Sequence, residues 1–196
     1  MAHPTGTRAL PVGGWATFLR WVVATLTFAI GGFIGHLVGG PAATVPAALI
    51  SGLVAGAVVG LGQALALGLR TEAVVRWAAA TALGLAVGLG LVTAIIGQID
   101  TSQDAVLLGA ISGLAVGAGQ AALVARERVA NAWLWVAAST GAWAIGWLVT
   151  SSIGVALAAG WPVYGLSGAI VSQLITGVVA WQLMSREEAA AFAPGW

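Results

Sequence analysis

Gly52-Leu53-Val54-Ala55-Gly56-Ala57-Val58-Val59-Gly60-Leu61-Gly62-Gln63-Ala64 returns 57 residues later as Gly109-Ala110-Ile111-Ser112-Gly113-Leu114-Ala115-Val116-Gly117-Ala118-Gly119-Gln120-Ala121, with seven positions identical. Small residues at every fourth position share one face of a helix and let two backbones approach closely. In lipid no hydrophobic force draws helices together, so such faces are a usual means of association. Both copies lie in stretches without Asp, Glu, Lys or Arg: Trp21 to Leu69 (49 residues), Trp77 to Ile99 (23), Ala105 to Ala125 (21) and Val129 to Ser185 (57). A membrane-spanning helix needs about 20 apolar residues, so the middle two stretches hold one span each and the outer two hold two each. Pro41 and Pro46 with Gly39 and Gly40 divide the first long stretch, and Gly160, Trp161 and Pro162 divide the last. The predicted spans are 16–39, 47–69, 73–96, 103–125, 131–153 and 163–185. These stretches are too long, and too rich in Ala, Gly and Leu, for the alternating strands of an outer-membrane barrel. The fold class read here is all-α: a polytopic membrane protein of six transmembrane helices, one membrane domain over residues 1–196 with short tails.

Composition agrees with that class. Of 196 residues 60% are apolar and 7% charged, against about 45–50% and about 25% in soluble domains. Seven Arg, no Lys and six acids leave a formal net charge of +1, which supplies no footprint for nucleic acid. Without Cys there is no disulfide frame, thiolate site or thiol nucleophile. The uncharged stretch after Arg20 exceeds the apolar core of a secretory signal, roughly 7–15 residues, so cleavage is not expected.

The odd-numbered spans repeat as well. Arg20-Trp21-Val22-Val23-Ala24-Thr25, Arg76-Trp77-Ala78-Ala79-Ala80-Thr81 and Leu134-Trp135-Val136-Ala137-Ala138-Ser139 are equivalent, and Gly32, Gly88 and Gly146 each stand eleven residues beyond the tryptophan. Gly168, Ser172 and Thr176 make a weaker third ladder. The chain therefore reads as three tandem two-helix hairpins, about 16–69, 73–125 and 131–185. Gly52, Gly56, Gly60, Gly109, Gly113 and Gly117 are the expected packing positions. The even spans are expected to form an inner ring, with the odd spans outside and their tryptophans at the headgroups.

A Gly ladder ending in Gly-x-Gln, an Arg-bearing turn, then Trp-x-x-Ala-Thr/Ser and a further Gly resembles small bacterial membrane proteins built from repeated hairpins. The resemblance covers about residues 15–185 and implies a repeat architecture without implying an activity. Mitochondrial carriers also use three hairpins, but their Pro-x-Asp/Glu-x-x-Lys/Arg signature is absent from every odd span.

Few residues carry chemistry. Gln63, Gln120 and Gln173 are candidate buried amides, read either as glue between helices or as the lining of a polar path. His36 is the one ionisable side chain well inside a predicted span, which makes it either a hydrogen-bonded interfacial histidine or a proton relay. Asp100, Thr101, Ser102 and Asp104 have the pattern of a helix N-terminus and, alternatively, of a cation site. Trp15, Trp21, Trp77, Trp133, Trp135, Trp181 and Trp196 cluster at one side, with Trp161 and Tyr164 at the other. Trp143 and Trp147, four apart in mid-span, are read either as core or as a surface offered to a partner, a quinone or a lipid. No catalytic, cofactor-binding or metal motif is present in the sequence.

The functional expectation is non-enzymatic: an accessory or stabilising subunit of a larger bacterial inner-membrane complex, such as a lipid importer or a respiratory assembly. Its partners would be the lipid bilayer and other integral membrane subunits. The alternative is a small transporter or channel with a polar path between the hairpins; a lipid-directed enzyme using His36 and Asp100 is the third reading. Arg8, Arg20, Arg70, Arg76, Arg126, Arg128 and Arg186 all fall on one side of the predicted membrane, and Asp100 and Asp104 on the other. The positive-inside rule then puts both termini and the Arg loops in the cytoplasm. Because the chain has no Cys, single substitutions test this directly. Asp104→Cys should react with an impermeant maleimide from outside, and Arg128→Cys only from inside; outside labelling of the latter reverses the topology.

Overall fold

The computed structural model describes residues 14–126, 132–163 and 165–192. Arg8, Arg128, Tyr164 and Trp196 lie outside the described residues. The described residues form seven α-helices: α1 (Gly14–Val23), α2 (Leu26–Gly39), α3 (Val45–Ala66), α4 (Thr71–Ile96), α5 (Ser102–Arg126), α6 (Ala132–Ser152) and α7 (Leu166–Phe192), with a 3-10 turn at Leu157–Ala159. Five helical stretches are long and apolar enough to cross a membrane, α1 and α2 counting together as Trp15–Gly39. The apolar part of α7, Leu166–Gln182, is shorter.

Local chemistry sets the boundaries. Thr44 caps α3, its hydroxyl accepting the Ala47 N–H at 3.4 Å, with Pro46 in the first turn. At the start of α5, Asp104 Oδ2 accepts from the Thr101 N–H at 3.0 Å while the Asp104 N–H donates to Thr101 Oγ1 at 3.1 Å. This reciprocal pair satisfies two amide groups at the helix start, as in a capping box. Arg76 meets Glu72 at 2.7 Å one turn into α4, on the surface.

From α2 to α7 successive helices pack in chain order, and α1 packs on α7, so the bundle closes on itself. Its core has two apolar clusters. One holds Phe28, Val59, Leu85, Leu89, Trp143 and Trp147. The other, toward the end bearing Arg20, Arg70 and Arg76, holds Trp21, Trp77 and Trp135 with Ala64, Ala121 and Ala180. These three tryptophans correct the sequence expectation: Trp21, Trp77 and Trp135 are 0%, 5% and 3% exposed and face the bundle interior, away from the headgroups. The division into inner even and outer odd spans fails at α4, an odd span with the largest share of its apolar window buried, while Trp15–Gly39 and α6, the other odd spans, have the smallest.

The glycine ladders lie where backbones meet. A Cβ on Gly52, Gly56 or Gly60 would stand 2.9, 2.7 and 2.8 Å from Cα of Ala86, Ala82 and Ala78 in α4. On Gly109 and Gly113 it would stand 2.5 Å from the carbonyl oxygens of Trp143 and Ser139 in α6, and on Gly117 2.8 Å from the Ser139 Cβ. These atoms are backbone or its first carbon, so they cannot rotate aside. Gly141, in α6, has nothing within 4 Å of such a Cβ. Gly113→Ala should lower the melting temperature in detergent, in line with the roughly 1–3 kcal/mol that overpacking costs. Gly141→Ala should hold or raise it, since Ala is favoured over Gly in a helix by about 0.5–1 kcal/mol. Equal responses of the two variants would mean that the α5–α6 contact does not depend on the missing side chain.

Candidate functional site

One hydrogen-bonded relay crosses the interior between the two apolar clusters. The Trp135 indole N–H donates to Gln120 Oε1 at 2.8 Å. Gln120 Nε2 donates to Gln63 Oε1 at 3.1 Å and to Thr81 Oγ1 at 2.8 Å. Gln63 Nε2 donates to Gln173 Oε1 at 3.2 Å, and Gln173 Nε2 donates to the Trp21 carbonyl at 2.9 Å. The Trp77 indole joins at Gln63 Oε1, 3.4 Å, while the Trp21 indole donates to Thr176 Oγ1 at 3.0 Å. Gln63, Gln120 and Gln173 are each at most 3% exposed. Each carboxamide both donates and accepts within the protein, and the relay draws on α1, α3, α4, α5, α6 and α7.

The end of the relay explains a break in the first span. Thr25 N–H bonds Val22 O, and Thr27 and Phe28 bond Ala24 and Thr25, all at 3.0 Å and three residues back. The Trp21 carbonyl, which Thr25 would bond in a continuous α-helix, is taken by Gln173 instead. A side chain entering the ladder is a recognised cause of helix breaks, and no Pro or Gly lies between Val22 and Thr27.

The remaining candidates fall elsewhere. His36, half-buried, stacks on Trp161 with ring centroids 4.3 Å apart, and its Nδ1 is buried without a hydrogen-bond partner. Asp100 is exposed. Trp143 and Trp147 are 2% and 5% exposed, so their reading as an outward surface for a partner or lipid is overturned: Trp143 packs against Phe28 with centroids 5.8 Å apart. In an all-apolar helix, i and i+4 spacing defines a face without saying which way it points. Among the described residues, no group of three or more His, Cys, Asp or Glu side chains gathers as a metal site.

Sequence reasoning missed Trp21, Trp77, Trp135, Thr81 and Thr176 as members of the polar network. A signal was present. Trp77 follows Gln63 by 14 residues and Trp135 follows Gln120 by 15, each pair straddling an Arg turn. Two antiparallel helices joined by a short turn bring such positions level.

A cavity of about 260 Å³ lies between α2, α6 and the segment joining α6 to α7. Phe28, Gly32, Trp147 and Thr150 form its buried wall, while Phe33 and Val155 are exposed at its rim. Gly160 pins the covering segment: its carbonyl accepts the Ala42 N–H at 2.8 Å. Its φ of +65° is one a side chain disfavours, and a Cβ would stand 2.9 Å from Ala42 N.

No protein-family model, curated protein or solved structure matches the chain in comparison.

Removing the relay's branch point should be costly. Gln120→Leu keeps roughly the same volume but strips the Trp135 N–H and Gln63 Oε1 of a partner, and a buried unpaired group costs about 1–3 kcal/mol. A fall in detergent melting temperature, with a red-shifted and less protected tryptophan emission, is expected. An unchanged melting temperature would show that the amides contribute nothing to assembly.

Proposed function

We infer that the chain is a non-enzymatic accessory or stabilising subunit of a larger complex in the bacterial inner membrane, built as six spans in three tandem hairpins with both termini cytoplasmic. The observation that carries this reading is the relay. Its amides are bonded to one another and to indoles, which makes the polar interior a fastening between helices. That use weighs against the alternative of a transporter with a path along Gln63, Gln120 and Gln173, because a solute on that route would have to displace bonds that hold six helices together.

The hairpin reading draws support from equivalent bonds at equivalent places. Trp77 donates to Gln63 across one Arg turn, and Trp135 donates to Gln120 across the next. Trp21 donates to Thr176 where the first and last helices meet. With Trp143 and Trp147 withdrawn into the core, the exposed aromatic residues on adjacent helices are Trp15 on α1, Trp181 on α7 and Trp133 on α6, at 66%, 45% and 64% exposure. They are the surface assigned here to neighbouring membrane subunits.

The test is extraction of the tagged native protein in a mild detergent, followed by mass spectrometry of what accompanies it. Other integral membrane subunits in fixed stoichiometry are expected. The double variant Trp133→Ala with Trp181→Ala should be extracted alone, because aromatic anchors commonly contribute about 2 kcal/mol or more at interfaces. A lone wild-type protein, with solute flux that Gln63→Leu abolishes, overturns the reading.

A further inference from the structure

We propose that the break at Ala24 and Thr25 is a two-position hinge: Gln173 and the Thr25 backbone compete for the Trp21 carbonyl, and the winner decides whether α2 parts from α7 or closes toward it. The proposal goes beyond the subunit reading and does not depend on it, since it rests on hydrogen bonds among the described residues.

The motif at the break stands twice in the chain. Arg76-Trp77-Ala78-Ala79-Ala80-Thr81 matches Arg20-Trp21-Val22-Val23-Ala24-Thr25 at its Arg, Trp, Ala and Thr. The copy at Arg76 runs unbroken within α4. There the Thr81 hydroxyl donates to the Trp77 carbonyl at 2.9 Å and accepts from Gln120 Nε2 at 2.8 Å. At the break the equivalent groups are arranged otherwise. Gln173 Nε2 bonds the Trp21 carbonyl itself, at 2.9 Å, and the Thr25 N–H turns to Val22 O at 3.0 Å. Thr25 Oγ1, on a residue 3% exposed, is left buried without a partner. One motif thus takes two conformations in one molecule, and they differ in whether the amide meets the hydroxyl or the carbonyl.

The arrangement of α4 is open to the first span as well. When Gln173 Nε2 passes from the Trp21 carbonyl to Thr25 Oγ1, the freed carbonyl accepts the Thr25 N–H and the Thr25 hydroxyl. The unpaired hydroxyl, costly where it stands, gains a donor and an acceptor. The broken form keeps one bond of its own in exchange, the Thr27 hydroxyl on the Ala24 carbonyl at 2.6 Å. Two bond sets so nearly matched are the condition for two populated conformations.

The swing has a fixed point. The Trp21 indole stays on Thr176 in both forms, so the clasp near Arg20 holds while the helix beyond it moves. In the broken form α1 lies along α7 and α2 has little contact with it, and the cavity of about 260 Å³ borders α2 on that flank. A continuous first span carries on along the line of α1 and narrows the gap. Straightening a break of about 20° moves the far end of α2, 14 residues and about 21 Å long, by about 7 Å.

The test uses the full chain in lipid nanodiscs. It has no Cys, so nitroxides go singly onto Leu37→Cys on α2 and Leu166→Cys on α7, both exposed. Pulsed electron resonance should give two distances separated by about 7 Å. Thr25→Val keeps the shape and removes a hydroxyl that the broken form does not use, so only the longer distance should remain. Gln173→Leu frees the Trp21 carbonyl for the Thr25 N–H, so only the shorter should remain. A single wild-type distance that Thr25→Val leaves unchanged overturns the hinge, as does a folded Gln173→Leu protein that keeps the longer distance. If Gln173→Leu fails to fold, Thr25→Val decides alone, because it costs the broken form no bond: persistence of the shorter distance in that variant overturns the hinge, and its loss upholds it.

Discussion

A carboxamide buried among apolar helices must find its hydrogen-bond partners within the protein, and most of this architecture follows from how three of them do so. Lipid offers neither donor nor acceptor, so a buried polar group left unpaired is penalised more than in a soluble core. Gln63, Gln120 and Gln173 come from three helices whose amides meet only if those helices converge at one level. The indoles of Trp77 and Trp135 then have to turn inward to complete the set. A change of register in any one helix would strand several groups at once. Apolar packing alone gives no such discrimination, because one Leu contact is much like another, and this is the sense in which a polar network specifies a bundle.

The glycine ladders supply the distance at which that network can close. Bonds of 2.8–3.4 Å join side chains on different helices, and the helices that carry them are drawn close at the ladders. The α3 ladder against Ala78, Ala82 and Ala86 and the α5 ladder against Ser139 and Trp143 bring them there. Close packing and polar satisfaction are therefore one constraint, met by residues one turn apart: Gly60 approaches the Thr81 side chain, and Thr81 accepts from Gln120.

How much of this was legible follows from where each signal resides. All-helical character and long apolar helices are properties of composition and run length, so they could be read directly. The kinship of Gln63 with Gln120 could be read because both sit at one offset after the same ladder. The direction of the tryptophans was legible only through the spacings that set Trp77 and Trp135 level with Gln63 and Gln120 across the Arg turns. An indole suits an interface and a polar core equally, and only the presence of an acceptor at the same level decides; that depends on how two helices are aligned. The break at Ala24 and Thr25 carries a local bond, the Thr27 hydroxyl donating to the Ala24 carbonyl at 2.6 Å, and a distant one, Gln173 on the Trp21 carbonyl, and only the first lies near it in the sequence. The cavity was hidden, being a gap between helices from opposite ends of the chain.

That gap has a topological reason within the three-hairpin reading. The contacts α3–α4 and α5–α6 each join two helices that are consecutive in the chain. The corresponding contact of α7 with the first span has no covalent link, because it joins the two ends of the chain. It is fastened by the Trp21 indole on Thr176 and by Gln173 on the Trp21 carbonyl, both toward the Arg20 end. Above that clasp the first span breaks, and α2 follows α3 instead of α7. A closed ring of repeats cut at one point leaves its weakest seam at the cut. Here the seam is sealed by polar bonds at one end, and at the other it is held open by the divergence of α2, with the segment pinned at Gly160 reaching across it.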